Sequence, residues 1–230
     1  MENFEFYNPC RILFGDGKLD RLGELIRAYS DNILLVYGKS SIRKMGLYDE
    51  IVTILNRDGI RFTEISGVEA NPKMDLVYQG IAIGREKQIG FILAVGGGSV
   101  IDTAKAIAVG IPYSGDVWNV LQRYETATRS LPIGTVLTAV GSGSEMSNSC
   151  VIAKMPEGLK HSEVFHSGSA LYLLRVSQAD RLWVSGYPVP LDGTVFYSGE
   201  AGGCDGPDAG GTDADRDSLC AQSHGASGGL

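Results

Sequence analysis

The sequence predicts an α/β fold on a mostly parallel sheet, followed by a carboxyl-terminal stretch of different character. Three observations carry this. Short apolar runs rich in β-branched residues alternate with segments of helical periodicity, which is the pattern of strands joined by crossover helices. A glycine cluster directly follows one of those runs. Composition then changes abruptly near residue 160.

The elements follow in order. Ile33-Leu34-Leu35-Val36-Tyr37 is a short β-rich run ending at Gly38. The apolar positions Ile42, Met45, Ile51, Ile54 and Leu55 then recur with helical spacing up to Asp58-Gly59, predicting one helix. Ile60 to Ile65 reads as the next strand, and Pro72 to Lys87 as a helix with Met74, Val77, Ile81 and Ile83 on its apolar side. Phe91-Ile92-Leu93-Ala94-Val95 is apolar throughout, as expected of a strand covered on both faces. Ser99 to Val109 is a helix and Ile133 to Thr138 a further strand.

With 230 residues and 43% hydrophobic content, the chain can bury a sizeable core. A net charge of −7 argues against nucleic acid or an anionic membrane as partner, because both require a basic face. No apolar run reaches the length of a membrane span, and Met1-Glu2-Asn3-Phe4 lacks the features of a signal peptide. Cys10, Cys150, Cys204 and Cys220 are widely separated, as expected of reduced thiols rather than disulfides. The expected location is cytoplasmic.

The break near residue 160 is one of vocabulary. Up to Lys160 there are 17 Ile and 8 Lys; from His161 to Leu230 there are none of either, and no Asn. From Gly199 onward the only large apolar residues are Leu219 and Leu230. So little apolar surface cannot offset the entropy of ordering, and no stable packing is expected there. The expected division is an α/β domain over 1–160 and a largely disordered tail over 161–230.

The most informative local feature is Gly96-Gly97-Gly98-Ser99-Val100-Ile101-Asp102-Thr103-Ala104-Lys105. Glycines allow unusual backbone angles and let an anion approach the main chain. Ser99 is a good N-cap, so the helix should start there and aim its free N–H groups and positive dipole end at the loop. The spacing matches neither G-x-G-x-x-G nor the P-loop, and a glycine turn without a ligand is the alternative. Asp102 and Lys105, one turn apart, read equally as a surface pair. A second cluster, Gly134-Thr135-Val136-Leu137-Thr138 through Gly141-Ser142-Gly143-Ser144-Glu145, offers hydroxyls and N–H groups suited to a nucleotide. Both clusters end strands, where open parallel sheets bind ligands.

These residues give a family resemblance. Asn8-Pro9, Phe14-Gly15, Tyr37-Gly38, Asn71-Pro72, Gly96-Gly97-Gly98-Ser99 with Asp102 and Lys105, Gly134-Thr135, and Thr138 with Gly141-Ser142 and Ser144-Glu145 resemble the iron-containing alcohol dehydrogenases. Within them the match is to the butanol dehydrogenase and aldehyde reductase branch. The resemblance implies a Rossmann-like nucleotide-binding domain, followed in the family by an all-helical metal-binding domain. It implies hydride transfer between NAD(P)H and an aldehyde or primary alcohol, assisted by iron or zinc, with a homodimer as a candidate assembly. Carried over, Gly97, Gly98 and Ser99 hold the pyrophosphate; Thr135, Thr138 and Ser142 contact the nucleotide; Asp102 lines the cofactor cleft; Lys160 lies near the nicotinamide. Gly38, Lys39, Ser40 and Asn71 complete the expected cofactor set.

NADP(H) is expected over NAD(H). The strand ending at Tyr37-Gly38 is followed by Lys39, Ser40, Ser41 and Arg43, with no carboxylate before Asp49. Cations and hydroxyls suit a 2′-phosphate, whereas an acidic residue there would bond the ribose hydroxyl.

The chain departs from the family where the metal should sit. The family's Asp and His four apart, and its two later His, have no counterpart, since His161, His166 and His224 each lack an Asp four residues earlier. This chain is therefore expected to be a cofactor-binding fragment with little activity. A shifted reading frame accounts for the loss. Gly186-Tyr187-Pro188-Val189-Pro190 can be coded so that reading one nucleotide on yields Asp-Ile-Leu-Ser-His, an Asp and His four apart. In the same frame His166 to Ala170 permits Ile-Leu-Asp-Pro-Ala, and Cys204 to Ser218 permits an amphipathic helical segment. A shift beginning near residues 161–165 is expected. The alternatives are a glycerol dehydrogenase or dehydroquinate synthase relative, which shares the glycine loop, and a stand-alone nucleotide-binding module with a genuine tail.

Overall fold

A computed structural model describes residues 10–154 except Asp16, and beyond them the strand backbones at 159–164, 173–177, 183–184 and 187–188. All of these belong to one compact unit, Met1–Thr194. Residues 195–230, including the stretch from Gly199 expected not to pack, lie outside the described residues.

The strands longer than two residues are β1 (Arg11–Phe14), β2 (Asn32–Tyr37), β3 (Arg61–Ile65), β4 (Phe91–Gly96), β5 (Ile133–Leu137), β6 (Ser149–Lys154), β7 (Leu159–Val164) and β8 (Leu173–Ser177). Six form one sheet in the order β1-β8-β5-β4-β2-β3, and every pairing in it is parallel. β6 and β7 form a separate antiparallel hairpin. The boundary expected at residue 160 falls inside β7, whose register sets Lys160 opposite Ala153.

Helices cover both faces. On one face α1 (Leu22–Arg27), α2 (Ser41–Lys44) and α3 (Leu47–Arg57) pack on Ile33, Leu35, Phe91, Leu93 and Val95. On the other, α4 (Met74–Glu86), α5 (Gly98–Gly110) and α6 (Val117–Leu121) pack on Leu34, Val36, Ile92 and Ala94. Alternate residues of β2 and β4 thus enter different cores, because successive side chains of a strand point to opposite faces. This is why both runs are apolar throughout.

The helices depart from expectation in two places. The single helix expected from Ile42 to Asp58 is two, α2 and α3, because Gly46 adopts φ 73° and ψ −3° between them. That left-handed turn suits glycine and ends the α2 hydrogen-bond ladder. α5 begins at Gly98 with Gly97 as its N-cap, so Ser99 lies inside the first turn and is not the cap. The carbonyl of Gly97 accepts from the N–H groups of Val100 at 3.0 Å and Ile101 at 3.2 Å, which fixes the start one turn-position earlier.

α4 and α5 meet closely. A Cβ on Gly80 would stand 2.3 Å from Ile107 Cδ1, and one on Gly84 would stand 2.2 Å from Ile111 Cδ1. At the far end of α5 the Arg85 guanidinium donates to the carbonyls of Gly110 (2.8 Å), Ile111 (3.1 Å) and Tyr113. A cation thus satisfies the last carbonyls of the helix whose other end faces the glycine loop.

Candidate functional site

β3 lies on one side of β2 and β4 on the other, so the chains leaving β2 and β4 diverge. Such a switch point opens a crevice at the carboxyl ends of the strands. Here it is an open cleft of about 420 Å³ lined by Gly38, Lys39, Ser40 and Ser41 after β2, Val68 to Ala70 after β3, Gly96 to Val100 after β4, and Thr138 after β5.

Backbone bonds hold these loops in register. The N–H of Gly67 donates to the Gly38 carbonyl at 3.1 Å and that of Val68 to the Tyr37 carbonyl at 3.3 Å, so the loops after β2 and β3 are stapled together. The N–H of Thr138 donates to the Gly96 carbonyl at 3.1 Å, which joins the glycine loop to the turn after β5.

The glycines serve space rather than angle. None of Gly96, Gly97 and Gly98 has a positive φ. A Cβ on Gly98 would stand 2.3 Å from Ser142 Oγ, and one on Gly97 would stand 3.4 Å from the Ala139 Cβ. The two glycine clusters therefore touch. The first N–H groups of α5, those of Gly98 and Ser99, have no acceptor within the helix and open into the cleft with the dipole of a 13-residue helix behind them.

Asp102 and Lys105 are not a surface pair. Lys105 is fully buried. Its ammonium lies 2.5 Å from the Ser144 carbonyl, 2.9 Å from Ser144 Oγ, 3.3 Å from Ser147 Oγ and 2.7 Å from the Ser149 carbonyl. Burial lowers its pKa to about 8, against the opposing pull of Asp102, Cys150 and Glu145. The carboxylate of Asp102 accepts from Ser144 Oγ at 2.6 Å and from the Val151 N–H at 3.1 Å. Expected to line the cofactor cleft, Asp102 is instead engaged with Lys105 in clamping the second glycine cluster onto α5.

The remaining expected residues divide. Gly38, Lys39, Ser40, Gly97, Gly98, Ser99 and Thr138 all line the cleft. Ser142 touches its floor at Gly98 and accepts from the Ser144 N–H at 3.2 Å. Thr135 is fully buried in mid-strand opposite Ala94, off the cleft wall. Asn71 sits at φ 57° beyond the cleft, in the turn that leads to α4. The side chain of Lys160 lies outside the described residues.

The cations after β2 are less free than their spacing implies. Arg43 donates to Tyr37 Oη at 2.7 Å and lies 3.6 Å from the centre of the Tyr48 ring. The Tyr37 and Tyr48 hydroxyls each donate to Glu64 at 2.6 Å, which raises both tyrosine pKa values, with burial the larger cause at Tyr37. Arg43 is thus committed elsewhere. Lys39 Nζ lies 2.6 Å from Glu69 Oε1, and Lys73 Nζ lies 2.9 Å from Glu69 Oε2. These two ammonium groups hold the Glu69 carboxyl down at about 2. Neither Glu69 nor Lys73 stood out in the sequence, because strand pairing and not chain proximity brings them to Lys39.

Among the described residues, no group of three or more His, Cys, Asp or Glu side chains converges to hold a metal. No helix among them is long and apolar enough to cross a membrane.

Residues 9–171 match the model of the iron-containing alcohol dehydrogenases. The chain belongs to that family. The iron-containing alcohol dehydrogenase match runs past residue 160 and takes in the β6–β7 hairpin. The chain is 42% identical to probable NADH-dependent butanol dehydrogenase 1 of Bacillus subtilis, over 85% of its own length and 49% of that relative. It is 37% identical to the NADPH-dependent aldehyde reductase YqhD of Escherichia coli, over 73% and 43%. The crystal structure of an NADH-dependent butanol dehydrogenase A from Thermotoga maritima superposes with a TM-score of 0.73 at 35% identity, over 78% of this chain and 45% of that one. The chain therefore spans about half the length of the curated relatives it matches, in the branch that holds the butanol dehydrogenases and YqhD.

Proposed function

We propose that this chain binds a nicotinamide dinucleotide in the switch-point cleft, as the cofactor half of an alcohol or aldehyde oxidoreductase. The single observation that carries this is the meeting of the α5 N-terminus, the Cβ-free Gly97 and Gly98, and the loops after β2 and β5 around one cleft. The residues fit the cofactor. The N–H groups of Gly98 and Ser99 take the pyrophosphate, and Thr138 with Ser142 borders the same phosphates. Lys39 and Ser40 take the adenosine ribose end. When bound, the nicotinamide ring gives or accepts the hydride exchanged with an aldehyde or primary alcohol.

Iron or zinc, which the family implies, finds no ligand set among the described residues. We place this chain as a binder with little metal-assisted turnover.

For cofactor preference we propose NADP(H) over NAD(H). Lys39, paired with Glu69 at the rim, lines the cleft beside the Ser40 and Ser41 hydroxyls. A charge-assisted bond from Lys39 and bonds from the two hydroxyls suit a 2′-phosphate. The test is a fluorescence titration of the chain with NADPH and NADH. NADPH should bind more tightly, and Lys39→Asp should reverse the order. Equal or tighter NADH binding by the unaltered chain defeats the preference, and no binding of either defeats the site.

A further inference from the structure

Glu69 lies where two hollows meet. It lines the switch-point cleft together with Lys39. It also lines an adjoining hollow of about 270 Å³ together with Gly67, Lys73 and Asp75. Its two carboxylate oxygens are shared out, one to Lys39 at 2.6 Å and one to Lys73 at 2.9 Å. Lys39–Glu69–Lys73 thus forms a charged bar along the rim. Its position is fixed by the backbone bonds that staple the loop after β3 to the end of β2, not by the exposed side chains themselves.

We propose that Glu69 sets the chain's discrimination between nucleotides with and without a 2′-phosphate, by occupying the two lysines that such a phosphate would otherwise take. This rests on the reading of the cleft as a dinucleotide site. A 2′-phosphate entering beside Lys39 meets a carboxylate already bonded to that lysine. It must share the ammonium and bear the repulsion of a like charge. A free 2′-hydroxyl meets no such repulsion and can donate to the same carboxylate. Glu69 therefore acts as a brake on the phosphate form and a neutral or favourable contact for the hydroxyl form. Its carboxyl stays ionised across the ordinary pH range, so the brake does not release on mild acidification. Lys73, which no sequence motif marks, becomes the second phosphate cation once Glu69 is neutral.

The experiment is a titration of the full chain with NADPH and with NADH, for the unaltered protein, Glu69→Gln, Glu69→Ser and Lys73→Met. Losing one like charge near a phosphate should tighten NADPH binding about fivefold at low salt in both Glu69 variants, and less at high salt. NADH binding should stay within about twofold or weaken, since only the hydroxyl contact is touched. In the Glu69→Gln background, adding Lys73→Met should remove most of the NADPH gain. A ratio of NADH to NADPH affinity that does not move in either Glu69 variant overturns the inference while leaving the site intact. Failure of both nucleotides to bind the unaltered chain overturns the site reading itself, and the inference with it.

Discussion

Replacing Lys105 by methionine isolates the clamp that joins the two glycine clusters. The ammonium is fully buried and reaches four oxygens of the 144–149 segment, two of them main-chain carbonyls. Methionine keeps the length of the side chain but leaves those carbonyls without a donor, at a cost of about 1–3 kcal/mol each. The substitution also relieves the burial of a charge. A pKa of about 8 against the ordinary 10.5 means that charging Lys105 in the fold costs about 3 kcal/mol at neutral pH. The two effects nearly offset near pH 7, so the variant should be destabilised there by only about 1 kcal/mol.

The pH dependence separates them. The folded pKa lies below the unfolded one, so between about 8 and 10.5 the unfolded chain binds more protons and stability rises with pH. From about pH 7 to about pH 9.5 that gain amounts to about 2 kcal/mol, present in the native chain and absent in Lys105→Met. The gap between the two proteins should widen accordingly. Tyr37 and Tyr48, whose raised pKa values favour the fold until pH exceeds their ordinary range, are common to both and cancel. Urea denaturation at the two pH values measures the gap, and parallel behaviour of the two proteins would refute the assignment of a buried, titrating Lys105.

Other outcomes follow from the same geometry. Gly98→Val should weaken NADPH binding at least about tenfold, because the new side chain fills the pyrophosphate approach and displaces the exposed Ser142; titration with matched circular dichroism separates this from unfolding. Arg85→Ala should cost about 1–2 kcal/mol in urea denaturation, since the α5 carbonyls it caps fall back on water; no loss would show that the cap is idle. Added iron or zinc should not give the purified chain alcohol oxidation that a chelator abolishes; such turnover would expose a ligand set beyond the described residues. The coding DNA downstream of residue 160 should hold dehydrogenase-like sequence offset by one base, and a faithful reading of the present frame in several independent isolates would end that idea.

Sequence periodicity was sufficient where burial is continuous. β2 and β4 are apolar at nearly every position because helices cover both sheet faces, and β2, β4 and β5 all stand where the sequence puts them. It failed where one residue's backbone decides. Leu47 and Ile51 continue the apolar spacing of Ile42 across Gly46, so the left-handed turn there leaves no trace in the pattern. The start of α5 was misplaced because a serine is the better cap on average, while close packing against Ala139 and Ser142 selects glycine at Gly97 and Gly98. Over 11–27, β1 and α1 are only four and six residues long, too short for periodicity to mark them. At the site, the glycine loops were legible because their residues are contiguous. The roles of Lys105, Asp102 and Glu69 were not, because partners such as Ser144, Ser149, Val151 and Lys39 are brought to them by the tertiary fold and not by nearness in the chain.

A dinucleotide pyrophosphate received by the α5 N-terminus and the loops around it would shield those backbone amides. Amide hydrogen exchange, measured with and without saturating NADPH, tests it most directly. Added protection is expected at Gly98 and Ser99, with smaller gains at residues 38–40 and 142–144, and no change at Arg85 or in α1. Unchanged exchange at Gly98 and Ser99 in the presence of bound NADPH, or protection confined to other segments, would contradict it.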